Sequence, residues 1–171
     1  SRGLKTLELR MREHCATAAQ LAEFLRDHRR VRRVFYPGLP DHPQHALAAQ
    51  LFEGQGFGGM VSFDLRDAHQ ADVFRFMEAL ELVLPATTLG DIYSLIVNPA
   101  RTTHHWLSDE ELARIGISPG TFRMSVGIEN IEDLKEDLDQ IHQKLKRKEQ
   151  EIQELSTSLD RLRVELDYQE K

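Results

Sequence analysis

The sequence predicts an α+β fold, in which a small antiparallel sheet is backed by helices and followed by a long C-terminal coiled-coil helix. Segments with the apolar–polar alternation of strands are interleaved with segments of helical spacing, which is typical of this fold class. All ten glycines and all six prolines of the 171-residue chain lie at or before Gly127. Because these residue types interrupt helices, their absence from the last 44 residues indicates one uninterrupted helix. We therefore expect two domains, residues 1–129 and residues 130–171.

Each element of the first domain is predicted by a local signal. Apolar residues recur at helical spacing over residues 3–28, which are expected to form one long helix. Ser108 and Glu111 form a capping box, because the hydroxyl and the carboxylate can satisfy amides in the first turn of a helix. Residues 86–107 follow no regular pattern. Strands are predicted at residues 31–36, 60–65, 82–84 and 122–126, and further helices at residues 45–52 and 68–80.

The second domain carries a heptad pattern behind an expected helix cap at Asn130. Ten of its twelve seam positions are isoleucine or leucine. A 3.5-residue period keeps such a stripe facing a partner helix, so we expect self-association through a coiled coil. The alternative is a helix packed back on its own domain, but residues 130–168 would extend about 58 Å at about 1.5 Å per residue. The a positions are Ile131, Leu138, Leu145, Ile152, Leu159 and Leu166, and the d positions are Leu134, Ile141, Lys148, Leu155, Leu162 and Gln169.

The composition excludes several classes of protein. A formal net charge of −6 argues against binding to nucleic acid or an anionic membrane, because polyanions repel an acidic surface. No apolar run approaches the roughly 18 residues of a membrane span, and no export signal is visible. The single cysteine, Cys15, cannot close an intrachain disulfide, so a cytoplasmic location is expected. His42 with His45, and His104 with His105, bring no further ligands at metal-site spacing, so we expect no metal.

A basic cluster follows the first predicted helix. One interpretation is that its side chains compensate the helix dipole and are solvated. The other is that they dock onto an acidic surface of another subunit. The residues alone leave both interpretations open. The cluster consists of Arg26, Arg29, Arg30, Arg32 and Arg33.

Arg123 is the charged residue that the sequence marks most clearly as a binding candidate. It lies inside a predicted strand between Phe122 and Met124, and Gly120 and Gly127 bound that strand. A charge in such a strand needs a partner, and a guanidinium grips a carboxylate through two parallel hydrogen bonds. A structural salt bridge and the carboxylate of a ligand would both meet that need.

An ordered series of short motifs runs through residues 1 to about 140. Together they resemble the C-terminal part of the Cys/Met-metabolism pyridoxal-phosphate enzymes, which comprise cystathionine γ-synthases, cystathionine β- and γ-lyases, methionine γ-lyases and homoserine-ester sulfhydrylases. The order of the motifs makes the resemblance specific. They are Arg2-Gly3-Leu4-Lys5-Thr6-Leu7, Arg10-Met11, Val34-Phe35-Tyr36-Pro37-Gly38-Leu39-Pro40, His42-Pro43, Gly58-Gly59-Met60-Val61-Ser62-Phe63, Leu89-Gly90, Pro99-Ala100, Thr103-His104, Leu107-Ser108, Gly116-Ile117 and Arg123-Met124-Ser125-Val126-Gly127-Ile128-Glu129.

The resemblance implies the small C-terminal domain of a fold-type I enzyme, preceded in the complete protein by a domain that carries the cofactor lysine. Pyridoxal phosphate would be the cofactor there, and the reaction would be β- or γ-elimination or replacement on a sulfur amino acid. In this family an arginine at the position of Arg123 binds the substrate α-carboxylate, and a serine at the position of Thr88 assists. Only Lys5 and Lys135 precede residue 144. We therefore expect no catalytic residue, no bound cofactor and no turnover for this chain alone.

Departures from the family pattern bear on the substrate and on the function. Tyr93-Ser94 stands where many members have glutamate before serine, and Thr87 replaces a glutamate of some cystathionine lyases. A substrate simpler than cystathionine is therefore left open. Two non-catalytic alternatives also stay open: an oligomerisation scaffold that works through the coiled coil, and an engineered fusion that holds the domain on a helical handle.

Overall fold

The computed structural model describes residues 2–139 and 156–158. The chain divides into two compact units, residues 1–138 and residues 139–171, and residues 156–158 of the second unit are helical. In chain order, the elements of the first unit are a 3-10 helix (Arg2–Thr6), α1 (Leu7–Asp27), β1 (Val31–Phe35), α2 (His45–Phe52), β2 (Met60–Leu65), α3 (Gln70–Ala79), β3 (Leu84–Pro85), β4 (Leu95–Val97), a 3-10 helix (Pro99–Arg101), α4 (Asp109–Arg114), β5 (Thr121–Ser125) and a final helix from residue 131.

The five strands form one sheet in the order β1-β2-β5-β4-β3. The central strand β5 is antiparallel to both β2 and β4, and β1 is antiparallel to β2. β3 runs parallel to β4, so the prediction of a wholly antiparallel sheet is wrong for this one pair. The physical reason is the connection: residues 86–94 form a long irregular crossover, which parallel neighbours require, in place of a tight hairpin.

The two faces of the sheet differ in chemistry. On β5, Phe122 and Met124 point to one face and are fully buried. The Phe122 ring lies 5.5 Å from the ring of Phe63 on β2 and 4.6 Å from the ring of Phe76 on α3, so α3 covers this face with aromatic contacts. Arg123 points to the opposite face. A further apolar stripe is buried on α1 and consists of Ala18, Leu21, Ala22 and Leu25.

Most elements lie where the sequence predicts them. The helix at residues 45–52 and the strand at residues 60–65 are confirmed to the residue. The capping box is also confirmed, because the N–H of Glu111 donates to Ser108 Oγ at 3.3 Å and the N–H of Ser108 donates to Glu111 Oε2 at 2.8 Å. The long first helix begins later than predicted, at Leu7, because the chain before it winds as a 3-10 helix.

Two strand predictions need correction. β4 lies within the segment that shows no regular pattern, because all three of its residues are buried and such a strand has no apolar–polar alternation. β3 occupies residues 84–85 and not residues 82–84. The N–H groups of Leu82 and Val83 donate instead to the buried carboxylate of Asp137, at 3.1 and 2.9 Å, which keeps them out of the sheet.

The final helix starts at the predicted cap, where the N–H of Glu132 donates to Asn130 Oδ1 at 2.8 Å. Leu134 and Leu138, two early positions of the predicted coiled-coil seam, are buried within the chain. These two positions are therefore already buried without a partner helix. The seam positions from residue 141 onward lie outside the described residues.

Candidate functional site

Arg123 lies in the central strand of the sheet, on the face opposite the aromatic core. Its neighbours across the sheet are Ser62 on β2 and Val97 on β4. The side chain is half-buried, and its Nη2 donates a hydrogen bond to the carbonyl oxygen of Thr87 at 3.4 Å. No carboxylate in the described part of the chain forms an ion pair with it. The structural salt bridge that the sequence left open therefore has no partner among these residues.

The 86–94 loop, which connects β3 to β4, lies against β5 beside Arg123. The N–H of Gly90 donates to Ser125 Oγ at 2.9 Å, two residues along β5 from Arg123 and on the same face. Thr88 directly follows the residue whose carbonyl accepts the arginine bond, and its side chain is exposed. The structure thus places Thr88 next in the chain to the residue that Arg123 contacts.

Ser94, Glu129 and Gly127 fix the end of this loop. Ser94 Oγ donates to Glu129 Oε2 at 2.9 Å and accepts the N–H of Gly127 at 2.8 Å. The N–H of Ser94 donates to Glu129 Oε1 at 2.5 Å. A Cβ added at Gly127 would lie 2.6 Å from the Ser94 nitrogen and closer still to the carbonyl oxygen of Ile92, so only glycine fits. The sequence predicts no binding role for Ser94 or Glu129: Glu129 is marked only as the end of the last family motif, and Ser94 only as the residue after Tyr93.

An open groove of about 430 Å³ adjoins the loop. Thr88 lines this groove and Arg123 does not. Its walls are mainly apolar, with threonine hydroxyls as the polar groups, so it can accept an uncharged chain beside a hydrogen-bonding group. The lining residues are Met77, Pro85, Ala86, Thr87, Thr88, Ile96, Val97 and Thr102.

Two shifted titratable groups lie outside this site. Burial raises the pKa of the Tyr36 phenol to about 12, and the nearby Cys15 adds to the shift. The Tyr36 hydroxyl donates to the carbonyl oxygen of Gly58 at 3.0 Å, so it is a protonated structural donor at neutral pH. At the start of α4, hydrogen bonds from the backbone and hydroxyl of Ser108 lower the pKa of Glu111.

The histidines singled out by the sequence make local contacts. His45 Nδ1 lies 2.8 Å from the carbonyl oxygen of Pro37, and His105 Nδ1 lies 2.7 Å from that of Thr102. In the part of the chain that the structure describes, no group of three or more His, Cys, Asp or Glu residues could hold a metal ion. No helix among those residues is long and apolar enough to cross a membrane.

The basic cluster separates into side chains with different partners. Arg26 pairs with the adjacent Asp27 at 3.2 Å, near the end of α1. Arg32 and Arg33 both reach the buried carboxylate of Asp64, at 3.1 and 3.4 Å. Neither dipole compensation nor solvation alone accounts for Arg32 and Arg33, because these two arginines pair with a carboxylate that has no exposed surface.

Known proteins match most of the chain. The family described as Cys/Met metabolism PLP-dependent enzyme matches residues 1–143. A cystathionine beta-lyase from Coxiella burnetii is 45% identical over 139 residues, which are 81% of this chain and 35% of that protein. The chain spans about a third of the length of the curated relatives it matches.

Solved structures match the same part. A Campylobacter jejuni protein assigned as O-acetylhomoserine (thiol)-lyase, which contains a pyridoxyl-lysine phosphate adduct, superposes with a TM-score of 0.77 at 39% identity. The match covers 82% of this chain and 33% of that one. Cystathionine gamma synthase from Xanthomonas oryzae, in complex with aminoacrylate and cysteine, superposes with a TM-score of 0.73 at 44% identity over 82% of this chain and 35% of its own. The Xanthomonas oryzae enzyme also has a structure in complex with cystathionine.

Proposed function

The chain belongs to the Cys/Met metabolism PLP-dependent enzyme family, and from this premise we propose that it is the substrate-binding C-terminal portion of an enzyme acting on sulfur amino acids. The proposed reaction is β- or γ-elimination or replacement. The proposed location is the cytoplasm. The chain alone, without a lysine-bearing cofactor domain, does not turn substrate over.

The setting of Arg123 carries this proposal. A guanidinium has five N–H donors, and Arg123 spends one of them on a long bond to the carbonyl oxygen of Thr87. A pair of parallel donors is therefore left for a carboxylate, which is the geometry that arginine recognises best. The ligands of the Xanthomonas oryzae relative, namely aminoacrylate, cysteine and cystathionine, are all amino-acid compounds with such a carboxylate.

Thr88 assists Arg123 in the proposed site. Its loop is held to β5 by the Gly90–Ser125 bond and to the segment after β5 by the Ser94–Glu129 contacts, so the loop that carries Thr88 is positioned without the help of a ligand. A hydroxyl beside a guanidinium can donate one further hydrogen bond to the same carboxylate. The groove along the loop then receives the substrate's side chain.

The residues at the positions that differ from the family pattern support a short substrate. Cystathionine carries a second, distal amino group, which a carboxylate would bind most strongly. Thr87 and Tyr93 bring no carboxylate at the two places where family members have glutamate, and both side chains are exposed. We therefore favour a simple sulfur amino acid over cystathionine.

Pyridoxal phosphate is the cofactor of this family and supplies an electron sink when bound. The described residues do not fit that cofactor. Lys5 is exposed on the first 3-10 helix, and the ammonium of Lys135 pairs with Glu132 at 2.7 Å. The part of this chain in the proposed reaction is to bind and orient the substrate carboxylate.

The test is Arg123→Lys in a complete enzyme that contains this chain. Lysine keeps the charge but loses the planar two-point grip, so kcat/KM falls about 10- to 150-fold, which corresponds to 1.5–3 kcal/mol for a charge-assisted hydrogen bond. The loss is equal for substrates with different side chains, because they share the α-carboxylate. The melting temperature moves little. The matched control is Arg75→Lys, an exposed arginine that makes only a 3.8 Å pair with Asp72. A normal kcat/KM together with a lower melting temperature would contradict the proposal.

Self-association through the heptads is the second part of the proposal, and it also supports the alternative role as an oligomerisation scaffold. Changing Leu155 and Leu159 to glutamine removes two adjacent seam side chains, each contributing about 1.5–3 kcal/mol when buried. Sedimentation then gives a lower mass than that of the parent chain. Glu154→Gln, outside the seam, leaves the mass unchanged. An unchanged mass in the double variant would mean that any self-contact lies elsewhere.

A further inference from the structure

We propose that a groove between β1, the segment after β4 and α4 binds a small phosphate-bearing compound. The groove has a volume of about 320 Å³, which lies at the lower end of the range for small-molecule sites. This site is separate from the proposed substrate site, since the two grooves share no lining residue. Its charged and polar lining comprises Arg32, Arg33, Arg101, His105, Asp109 and Ser118.

A β-bulge brings two consecutive arginines to one side of the sheet. Val31 pairs with Leu65 and Arg33 pairs with Asp64, so two steps along β1 correspond to one step along β2. Arg32 is the extra residue of this irregularity. Neighbouring side chains of a regular strand point to opposite faces, whereas a bulge can re-aim one of them. As a result, both guanidiniums reach Oδ2 of Asp64.

Asp64 holds the two arginines in place but occupies only part of their hydrogen-bond donors. Its side chain has no exposed surface, and its other oxygen accepts hydrogen bonds from Thr121 Oγ1 at 2.6 Å and Ser118 Oγ at 3.4 Å. Each guanidinium uses one donor on this carboxylate, and each arginine side chain stays 53% exposed. Most of their donors therefore remain available at the groove, and one negative charge faces two positive ones.

Arg101 adds a third guanidinium from the segment after β4. In the described part of the chain its side chain has no hydrogen-bond or ion-pair partner. One arginine saturates a carboxylate, whereas several converging guanidiniums match the larger charge and the additional acceptor oxygens of a phosphate. A concave site of this volume favours a small compound over the flat acidic surface of a protein. Asp109 is the opposing charge at the groove and weakens the attraction.

The test measures the binding of pyrophosphate to the full chain by calorimetry at low salt. We expect saturable binding that weakens as salt is added. Arg101→Ala raises the Kd about tenfold or more and leaves the melting temperature unchanged, because the side chain has no partner to lose. Arg75→Ala removes the same charge elsewhere and leaves the Kd unchanged. Asp109→Asn lowers the Kd.

Arg32→Ala is a weaker test, because it exposes the Asp64 carboxylate and can unfold the protein. Arg101→Ala avoids this problem. The proposal is overturned if pyrophosphate does not bind, or if Arg75→Ala weakens binding as much as Arg101→Ala does. It is also overturned if an acidic peptide displaces pyrophosphate at lower concentration than inorganic phosphate does, since the groove would then serve a protein partner.

Discussion

The arginines of this sheet occupy two opposite settings. Arg32 and Arg33 lie on the edge strand β1, and both are tied to the buried carboxylate of Asp64. Arg123 lies in the central strand β5 and contacts a single backbone carbonyl, that of Thr87, at 3.4 Å. Among the described residues, the more interior strand thus carries the arginine that has no ion-pair partner.

The arginines differ in the carboxylate that they bind: Arg32 and Arg33 bind one within the fold, whereas Arg123 is proposed to bind one on a ligand. A buried carboxylate is costly unless it is paired, so Asp64 and its arginines stabilise each other within the fold. Arg123 has no carboxylate of its own among the described residues, so its pairing is completed only by a ligand. Substitutions at the two sites should therefore change different quantities.

The largest effect is expected at Asp64. Asp64→Ala removes the acceptor of two guanidiniums and leaves the buried Thr121 hydroxyl without this 2.6 Å bond, so the free energy of unfolding falls by about 3 kcal/mol. The two arginines are half-exposed and can return to water, which keeps the loss below that for a fully buried pair. Urea unfolding followed by circular dichroism measures the change. Glu8→Ala, at an exposed pair with Arg12, costs only about 0.3–0.5 kcal/mol, and an equal loss in both variants would remove the distinction.

The sequence marks Arg123 as a residue that needs a partner, without deciding which partner, and it does not mark Asp64. Arg123 stands out because it is a charge between two apolar residues of a short strand, and that signal is local. Asp64 shows no such signal, since the alternation of β2 places it on the polar face, where an exposed carboxylate is expected. Its pairing depends on a strand about thirty residues earlier in the chain and on a bulge that no local sequence pattern predicts.

Long-range backbone contacts account for the other misses. Asp137 binds three consecutive N–H groups more than fifty residues earlier, and Ser94 binds Glu129 across 35 residues. Local helix and strand periods contain no information about such contacts. The binding role of Thr88 is predicted only through the family resemblance, because an exposed loop threonine has no chemical signature of its own.

A smaller effect on stability is expected at Gly127, which binds Ser94 in the loop that contacts Arg123. Gly127→Ala places a methyl group against the backbone of Ile92 and Ser94, so the 86–94 loop must move and the free energy of unfolding falls by about 1–3 kcal/mol. Because that loop contacts Arg123, substrate use in the complete enzyme falls as well. Ser94→Ala leaves room for the loop and removes only the hydroxyl bonds. Thermal unfolding of both variants measures the change, and a smaller loss in Gly127→Ala than in Ser94→Ala would mean that the loop is not held by close approach.

The smallest effect on stability is expected at Arg123 itself. Arg123→Met keeps an unbranched side chain that matches the arginine stem as far as Nε and removes the charge, so the isolated chain loses only one long hydrogen bond to Thr87. Because no internal carboxylate is left unpaired, the free energy of unfolding changes by about 0.5 kcal/mol or less, as at exposed sites. Arg75→Met, at an exposed arginine of α3, gives the reference value in the same urea experiment. A loss at Arg123 close to that of Asp64→Ala would show that Arg123 is a structural arginine like those on β1. A small loss there, together with the predicted fall in kcat/KM of Arg123→Lys, would place the function of Arg123 in binding, because stability and substrate use would then depend on different arginines of the same sheet.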